Sequence, residues 1–442
     1  MKAILRIIPL GLLLLPTLSF GQQTLQLSLA KAVDIALAEN GSARVALAEQ
    51  SIHRAETQVS LAKSAFMPVI DGSAGERNQT VNLRTFGLNF SIPGVTFPSL
   101  VGPFSIADIR ANAKFAVIDF TNLRRYRASK SGLEATKADL EVTRTDVSQQ
   151  VAQAYLATLR ADAALEASRA NVELSQALVT MAQSQKDAGS GTLIEVTRAQ
   201  VQLANDKGHL TINENERRRA ELQLLRVMGL DMSMPVKLTD TLGYHAVNVS
   251  GVEASLSQAR GARNDLKAQK AHEDVAHMNV STIEAERLPT VGAFGDYGAI
   301  GQPTLGLEQT RTVGITVSVP IFDGGRRKAR VQESLVQYKT EQIRTRDLEQ
   351  GIEMDVRMAI DSLHSADVQV ETAREGLTLA ENEVAQAQRR YQAGVSVPLE
   401  VTDAQTRLDR ARDNQIVALY NHNLARLSLA MATGTIQEFV HQ

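Results

Sequence analysis

The 442-residue chain has no cysteine and no tryptophan, and only 4% of its residues are aromatic. Without cysteine there is no disulfide, no thiolate metal site and no cysteine nucleophile, and an N-terminal lipid anchor of the lipoprotein type is not expected. Charge of one sign is lacking too: 47 Lys and Arg face 49 Asp and Glu, for a net charge of −2. The bases are interleaved with acids and are not gathered into a stripe beside stacking aromatics, so nucleic-acid binding is not expected. Beyond the N-terminus no apolar run is long enough to cross a bilayer as a helix, so any membrane crossing falls to strands.

Proline is also scarce, and its placement is informative. None occurs between Pro103 and Pro235 or between Pro320 and Pro398, and both spans are rich in helix formers. Val147, Val151, Ala154, Tyr155 and Leu159 make an apolar stripe at helical spacing in the first, and Ile352, Val356, Ala359, Ile360 and Leu363 make one in the second. A helix of about 65 residues would be roughly 100 Å long. Its narrow seam must be buried against neighbouring helices, as in a coiled coil.

At the N-terminus Lys2 and Arg6 precede an apolar run, Ile7 to Leu18, followed by the small residues Ser19 and Gly21. Residues 1–21 read as a secretory signal, because the run is short for a membrane span and Pro9 and Pro16 interrupt it.

The remaining chain repeats itself. A shift of 205 positions places Ala188-Gly189 on Ala393-Gly394, Glu195-Val196-Thr197 on Glu400-Val401-Thr402, Ala199-Gln200 on Ala404-Gln405, and Gly229 on Gly434. A shift of 221 places Val45 on Leu266, Ala55 on Ala276, Val59 on Val280 and Pro68 on Pro289. The shifts differ because the first half carries the longer loop, Ser91 to Ser105. Residues 22–249 and 250–442 are therefore expected to be two copies of one unit: short helix, helix, strand, loop, strand, very long helix, turn, helix.

The strands alternate with period two. Ala107, Ile109, Ala111, Ala113, Phe115 and Val117 alternate with Asp108, Arg110, Asn112 and Lys114, and Val313, Ile315, Val317 and Val319 with Thr312, Gly314, Thr316 and Ser318. A half-buried sheet on a soluble core would share that pattern. In lipid, four strands cannot close a barrel alone, so closure would require several chains.

Enzyme motifs are absent. His272 and His277 are five apart and miss the same-face spacing of a helical zinc pair, and Gly292 to Gly301 lacks phosphate-loop spacing and reads as strand and loop. Arg217-Arg218-Arg219 reads as a solvated face near the end of a helix, with a minor role beside lipid headgroups or another helix as the alternative. No cofactor is expected.

The repeat order, the segment Pro320-Ile321-Phe322-Asp323-Gly324-Gly325-Arg326, the two Ala-Gly-x5-Glu-Val-Thr-x-Ala-Gln-x2-Leu turns and the opening Leu27-Ser28-Leu29-Ala30-Lys31-Ala32 together resemble the TolC family of outer-membrane proteins. The resemblance covers nearly the whole mature chain. It implies a mainly α protein with a membrane β-barrel: a homotrimer whose four strands per chain form a twelve-stranded barrel in outer-membrane lipid, over a helical tunnel crossing the periplasm. The implied role is a passive exit duct of a tripartite efflux or type I secretion system, with a periplasmic adaptor and an inner-membrane transporter as partners. A periplasmic adaptor and a coiled-coil scaffold are the alternatives. An adaptor would show one hairpin between split lipoyl-like halves, and a scaffold would need neither the signal nor the strands.

Under this resemblance Ala188, Gly189, Ser190, Ala393, Gly394 and Val395 are the adaptor-docking candidates. Glu400 and Asp403, three apart on one helical face, would stack as carboxylate rings at the narrowest part of the closed tunnel. Tyr391 and Glu195 match positions that tie neighbouring helices in the closed state. The chain departs from the family's pattern at Ser396, where a base is expected, and at Ile194, where a hydroxyl residue is expected.

Overall fold

The structure, a computed structural model, describes residues 25–39, 41–87, 98–248 and 251–441. The signal at 1–21 and part of the loop from Ser91 lie outside these residues. Strand β1 (Leu25–Leu27) leads into α1 (Leu29–Leu37) and α2 (Ala43–Ser64), then β2 (Val69–Asn82), β3 (Leu100–Ile118), α3 (Phe120–Asp187) and α4 (Leu193–Met228). After β4 (Val236–Leu238) the order recurs: α5 (Val252–Ala262), α6 (Asn264–Glu284), β5 (Thr290–Gln302), β6 (Gly306–Ser318), α7 (Arg326–Gln392) and α8 (Pro398–Thr433), closed by the short α9 (Ile436–Val440).

Helices α3 and α7 run unbroken for 68 and 67 residues. That is about 100 Å each. An aspartate secures each start: Asp119, the N-cap of α3, accepts the Asn122 N–H at 3.0 Å, and Asp323, two residues before the N-cap Gly325 of α7, accepts the N–H groups of Gly325 and Arg327 at 3.2 and 3.0 Å. α4 folds back along the distal part of α3 and α2 lies along its proximal part, while α8 and α6 do the same for α7. The seams expected from periodicity are buried, including Val147, Val151 and Tyr155 on α3 and Ile352, Val356 and Leu363 on α7.

The four long strands form one antiparallel sheet in the order β2-β3-β5-β6, leaving β2 and β6 as edges. Pairing puts Arg110 opposite Ser73 and Gly298, and Lys114 opposite Phe294, which in turn faces Gly314. One face is polar and self-bonded: Arg110 donates to Asp108 at 2.6 Å and to Asp296 at 3.0 Å, and Asn112 to Asp71 at 3.0 Å. The other exposes Ile70, Ile109, Phe115, Val313, Ile315 and Val317. Gly298 is required by close approach, because a Cβ there would stand 2.4 Å from the Cβ of Arg110. The segment Gly292 to Gly301, read from sequence as strand and loop, is strand throughout, with Gly295 and Gly298 beside side chains of the adjacent strands and Gly301 close against the backbone of Gly306.

At the waist β1 pairs in parallel with β4, and the two close over a core from α1, α3, α4, α8 and α9. Tyr155 is its centre, 1% exposed, with its hydroxyl 3.0 Å from the Leu27 carbonyl and 2.8 Å from Asp240 Oδ2. The inner turns of both halves meet here. The left-handed Gly229 ending α4 lies on the backbone of Gly41, and its counterpart Gly434, ending α8, on Ala262 and Arg263. The duplication also shows in side-chain pairs. Arg217 Nε donates to Asp162 at 3.0 Å, and at the matching positions His422 Nδ1 lies 3.1 Å from Asp367 Oδ1.

The described residues contain no helix long and apolar enough to cross a membrane.

Candidate functional site

Both hairpins end at the same pole of the molecule, in turns of one design. α3 and α7 each close with a Schellman motif: Gly189 N–H bonds the Lys186 carbonyl and Ser190 N–H that of Gln185, while Gly394 N–H bonds the Tyr391 carbonyl and Val395 N–H that of Arg390, all at 3.0 Å. Gly189 and Gly394 have φ of +76° and +68°, and a Cβ at either would meet nothing within 4 Å. Backbone geometry demands glycine there; packing does not. Ala188, Gly189, Ser190, Ala393, Gly394 and Val395 are all exposed, and beside them stand the exposed apolar side chains of Leu193, Ile194, Val397 and Leu399.

Helix α4 restarts through a capping box, in which Glu195 Oε2 accepts the Thr192 N–H at 2.8 Å. Glu195 therefore has a local structural role as well as a place beside Tyr391. Tyr391 is buried at the end of α7, and its hydroxyl has no hydrogen-bond partner among the described residues. Burial, reinforced by the Glu195 charge, pushes that hydroxyl's pKa up, so it is a donor throughout the working pH range. The structure thus brings Tyr391 and Glu195 together from different hairpins.

Glu400 and Asp403 follow the second turn on α8. Asp403 is exposed, whereas Glu400 Oε1 lies 3.2 Å from Arg390 Nε of the same hairpin. Arg390 is the residue sequence reasoning missed. It supplies a cation at this end, where Ser396 bonds the adjacent Val397 carbonyl at 3.4 Å. The signal was present as paired bases, Arg389 and Arg390, in the last turn of a helix leading into an acidic first turn.

Two or three turns above lies a buried polar junction that sequence did not indicate. Asp206 on α4 is 5% exposed and accepts hydrogen bonds from Ser175 of α3 and, at 2.9 Å, from Gln202. Asp409 of α8 sits near it. Burial, and then the Asp206 charge, push the Asp409 carboxyl up to about 6, against the pull of Arg412. A raised carboxyl pKa favours the fold while the group is protonated, and that contribution is lost as pH rises through about 6. Asp409→Asn should therefore stabilise the protein on the order of 1 kcal/mol at pH 7.5, with no gain near pH 4. Denaturant titrations of both proteins at the two pH values check this, and equal midpoints at pH 7.5 would rule it out.

Residues 34–230 and 255–435 match the sequence pattern described as outer membrane efflux protein. The chain belongs to that family. It is 25% identical to the outer membrane efflux protein BepC of Brucella suis over 58% of its own length and 56% of BepC. It is 24% identical to the pyoverdine export outer membrane protein OpmQ of Pseudomonas putida, covering 90% of this chain and 84% of OpmQ. Its fold matches that of the outer membrane protein VceC of Vibrio cholerae with a TM-score of 0.73 at 18% identity, over 92% of this chain and 96% of VceC.

The chain is accordingly a member of an outer-membrane channel family reaching into the periplasm, mainly helical with a β part, and not an enzyme. His272 and His277 fit that: His272 touches Asp139 of α3 at 2.9 Å and His277 packs on Tyr338. Arg217, Arg218 and Arg219 are held by acids of α3 and α4, namely Asp162, Glu216 and Glu221.

Proposed function

We propose that this chain is the outer-membrane exit duct of a tripartite efflux or type I secretion system, gated at its periplasmic pole and working without a cofactor. The observation carrying this reading is the four-stranded sheet. It has an apolar outer face, a charged and self-bonded inner face, and two unpaired edges, and it continues directly into helices about 100 Å long. Unpaired strand edges are too costly in lipid to stay open, so three copies pairing β6 to β2 give a closed twelve-stranded barrel. Residues 22–249 and 250–442 are the two repeats of each subunit, and the recurring element order supports that division.

The exposed turns at Ala188–Ser190 and Ala393–Val395 are the surface for a periplasmic adaptor, which links the duct to an inner-membrane transporter. The flanking Leu193, Ile194 and Val397 offer it apolar contact. Among relatives, OpmQ is named for pyoverdine export and AprF of Pseudomonas aeruginosa for alkaline protease secretion, so small molecules and polypeptides are both within range of this architecture. Tyr391 and Glu195 tie the hairpins together in the closed state, and Asp403, with Glu400, lines the constriction.

Planar-bilayer recordings test the duct and the gate together. Wild-type channels should be small and cation-selective, and Glu400→Ala/Asp403→Ala should raise conductance and lower selectivity. Because Arg390 already offsets Glu400, Asp403→Ala alone should account for most of the selectivity change. Unaltered channels in the double variant would remove the gate assignment, and folded trimers that never conduct would remove the duct.

A further inference from the structure

Both long helices carry a run of bases near their N-terminal ends. Residues 119–133 hold Arg124, Arg125, Arg127 and Lys130 against one acid, and residues 320–332 hold Arg326, Arg327, Lys328 and Arg330 against one acid, in a chain whose net charge is −2. The single acid in each stretch is the capping aspartate, Asp119 or Asp323, and neither first turn contains another. A helix N-terminus carries partial positive charge, so cations placed there lower local stability unless something anionic answers them. In α7 the bases occupy that first turn, whereas in α3 they begin with Arg124, just beyond it.

Three of the eight bases are answered within the chain. Arg124 donates to the Ser281 carbonyl at 2.6 Å, Arg327 to Asp323 at 3.1 Å and Arg330 to Glu286 at 2.5 Å. Arg125 meets only Asn122, and Lys130 lies over the Tyr126 ring. Arg127, Arg326 and Lys328 are exposed and make no ion pair among the described residues, Arg326 acting on Asp323 only at longer range. These five bases therefore make a charged patch in two groups on each chain, Arg125, Arg127 and Lys130 near the start of α3 and Arg326 and Lys328 at the start of α7.

Its position supplies the second, independent observation. The patch begins where β3 and β6 end, so it adjoins the apolar outer face of the sheet. At this boundary Ile118 closes β3 and Phe120 opens α3 in the first half, and Val319, Ile321 and Phe322 follow β6 in the second, all of them exposed, Ile321 at 94% and Phe322 at 89%. Apolar side chains bordered by bases are the pattern of an acyl region bordered by phosphates.

We propose that Arg125, Arg127, Lys130, Arg326 and Lys328 form a basic collar that seats on anionic phospholipid headgroups in the leaflet facing the helical part of the molecule. Ile321 and Phe322 enter the edge of the acyl layer beside it. The collar rests on the duct reading, since it needs the sheet to lie in lipid. It fixes the depth at which the barrel sits, because sliding either way would bring bases into hydrocarbon or apolar residues into water.

The test is native mass spectrometry of the purified full-chain oligomer taken from micelles containing equal POPG and POPC, with bilayer conductance and heat-stable oligomer recorded on the same preparations. The wild type should retain POPG over POPC by about fivefold or more. R127Q/R326Q/K328Q should fall to near parity, while R127K/R326K/K328R keeps the preference. Excess inorganic phosphate should leave the ratio unchanged, because a free anion has no acyl chain to place beside Phe322.

A wild type without preference, or a glutamine variant that keeps it, overturns the collar. Displacement by phosphate does the same, reassigning the patch to free anions. If the glutamine variant does not assemble, raised salt on the wild type decides the matter, since a headgroup contact weakens with ionic strength and a persistent preference overturns it. Conducting oligomers without POPG preference remove the collar alone, whereas non-conducting folded oligomers remove the duct.

Discussion

Gly229→Ala should destabilise the folded chain by about 3 kcal/mol or more, while Gly189→Ala costs only about 1 to 2 kcal/mol. Both glycines end a long-hairpin helix in the left-handed region, at φ of +74° and +76°, so both substitutions carry the same backbone penalty. They differ in what the new methyl meets. At Gly189 there is nothing within 4 Å; at Gly229 the Cβ would stand 2.4 Å from the Gly41 carbonyl oxygen and 2.9 Å from its carbon. Backbone cannot swing aside as a side chain can, so the junction between α1 and α2 must move, and Gly41 is itself pressed on the carbonyls of Ile35 and Ala36. Gly434→Ala should resemble Gly229→Ala, because its Cβ would lie 2.8 Å from the Arg263 nitrogen. Denaturant titration followed by circular dichroism measures all three. Equal losses at Gly189 and Gly229 would show that backbone conformation alone sets the cost.

The second large effect belongs to Tyr155. Tyr155→Ala should cost about 3 to 5 kcal/mol, since it empties a site that is 1% exposed at the centre of the waist core. Tyr155→Phe keeps the ring and should cost about 1 to 2 kcal/mol. The reason is that the acceptors left behind have other donors. The Leu27 carbonyl also receives the Thr239 N–H at 3.0 Å, and Asp240 Oδ2 also receives the Leu29 N–H at 3.0 Å. Burial, aided by Asp240, pushes the hydroxyl's pKa far up, so it does not ionise and the difference between Tyr and Phe should be flat across neutral pH. A Phe variant as unstable as the Ala variant would assign the energy to the hydrogen bonds and not to the ring.

Local chemistry made much of this protein legible before any coordinates. The unbroken α3 and α7 follow from two proline-free spans of helix formers. Gly189 and Gly394 follow from the need for a left-handed residue after a helix, and the sheet's two faces from strict alternation in β3 and β6. What was hidden depends on which helices lie side by side. Arg390 meets Glu400 only because the turn at Gly394 folds α8 back on α7, and Asp206 meets Asp409 only where the two hairpins pack. The glycines of β5 were ambiguous for a related reason. Gly298 reads as a loop residue until Arg110 is placed opposite it, and then its missing side chain is what lets the strands pair.

The length of α3 and α7 also has a mechanical meaning. Each is an uninterrupted rod with no proline and no break, and the waist core grips it near its middle. The distal half extends about 50 Å beyond that grip, so each degree of tilt at the waist displaces the turn at Gly189 or Gly394 by roughly 1 Å. A rotation of about ten degrees, small enough for core side chains to follow by repacking, would carry a hairpin end across the full width of a neighbouring helix. Distances between spin labels at Asp187 and Gln392 would register such a swing, and substitutions around Tyr155 should change its amplitude without touching the pole where it is felt.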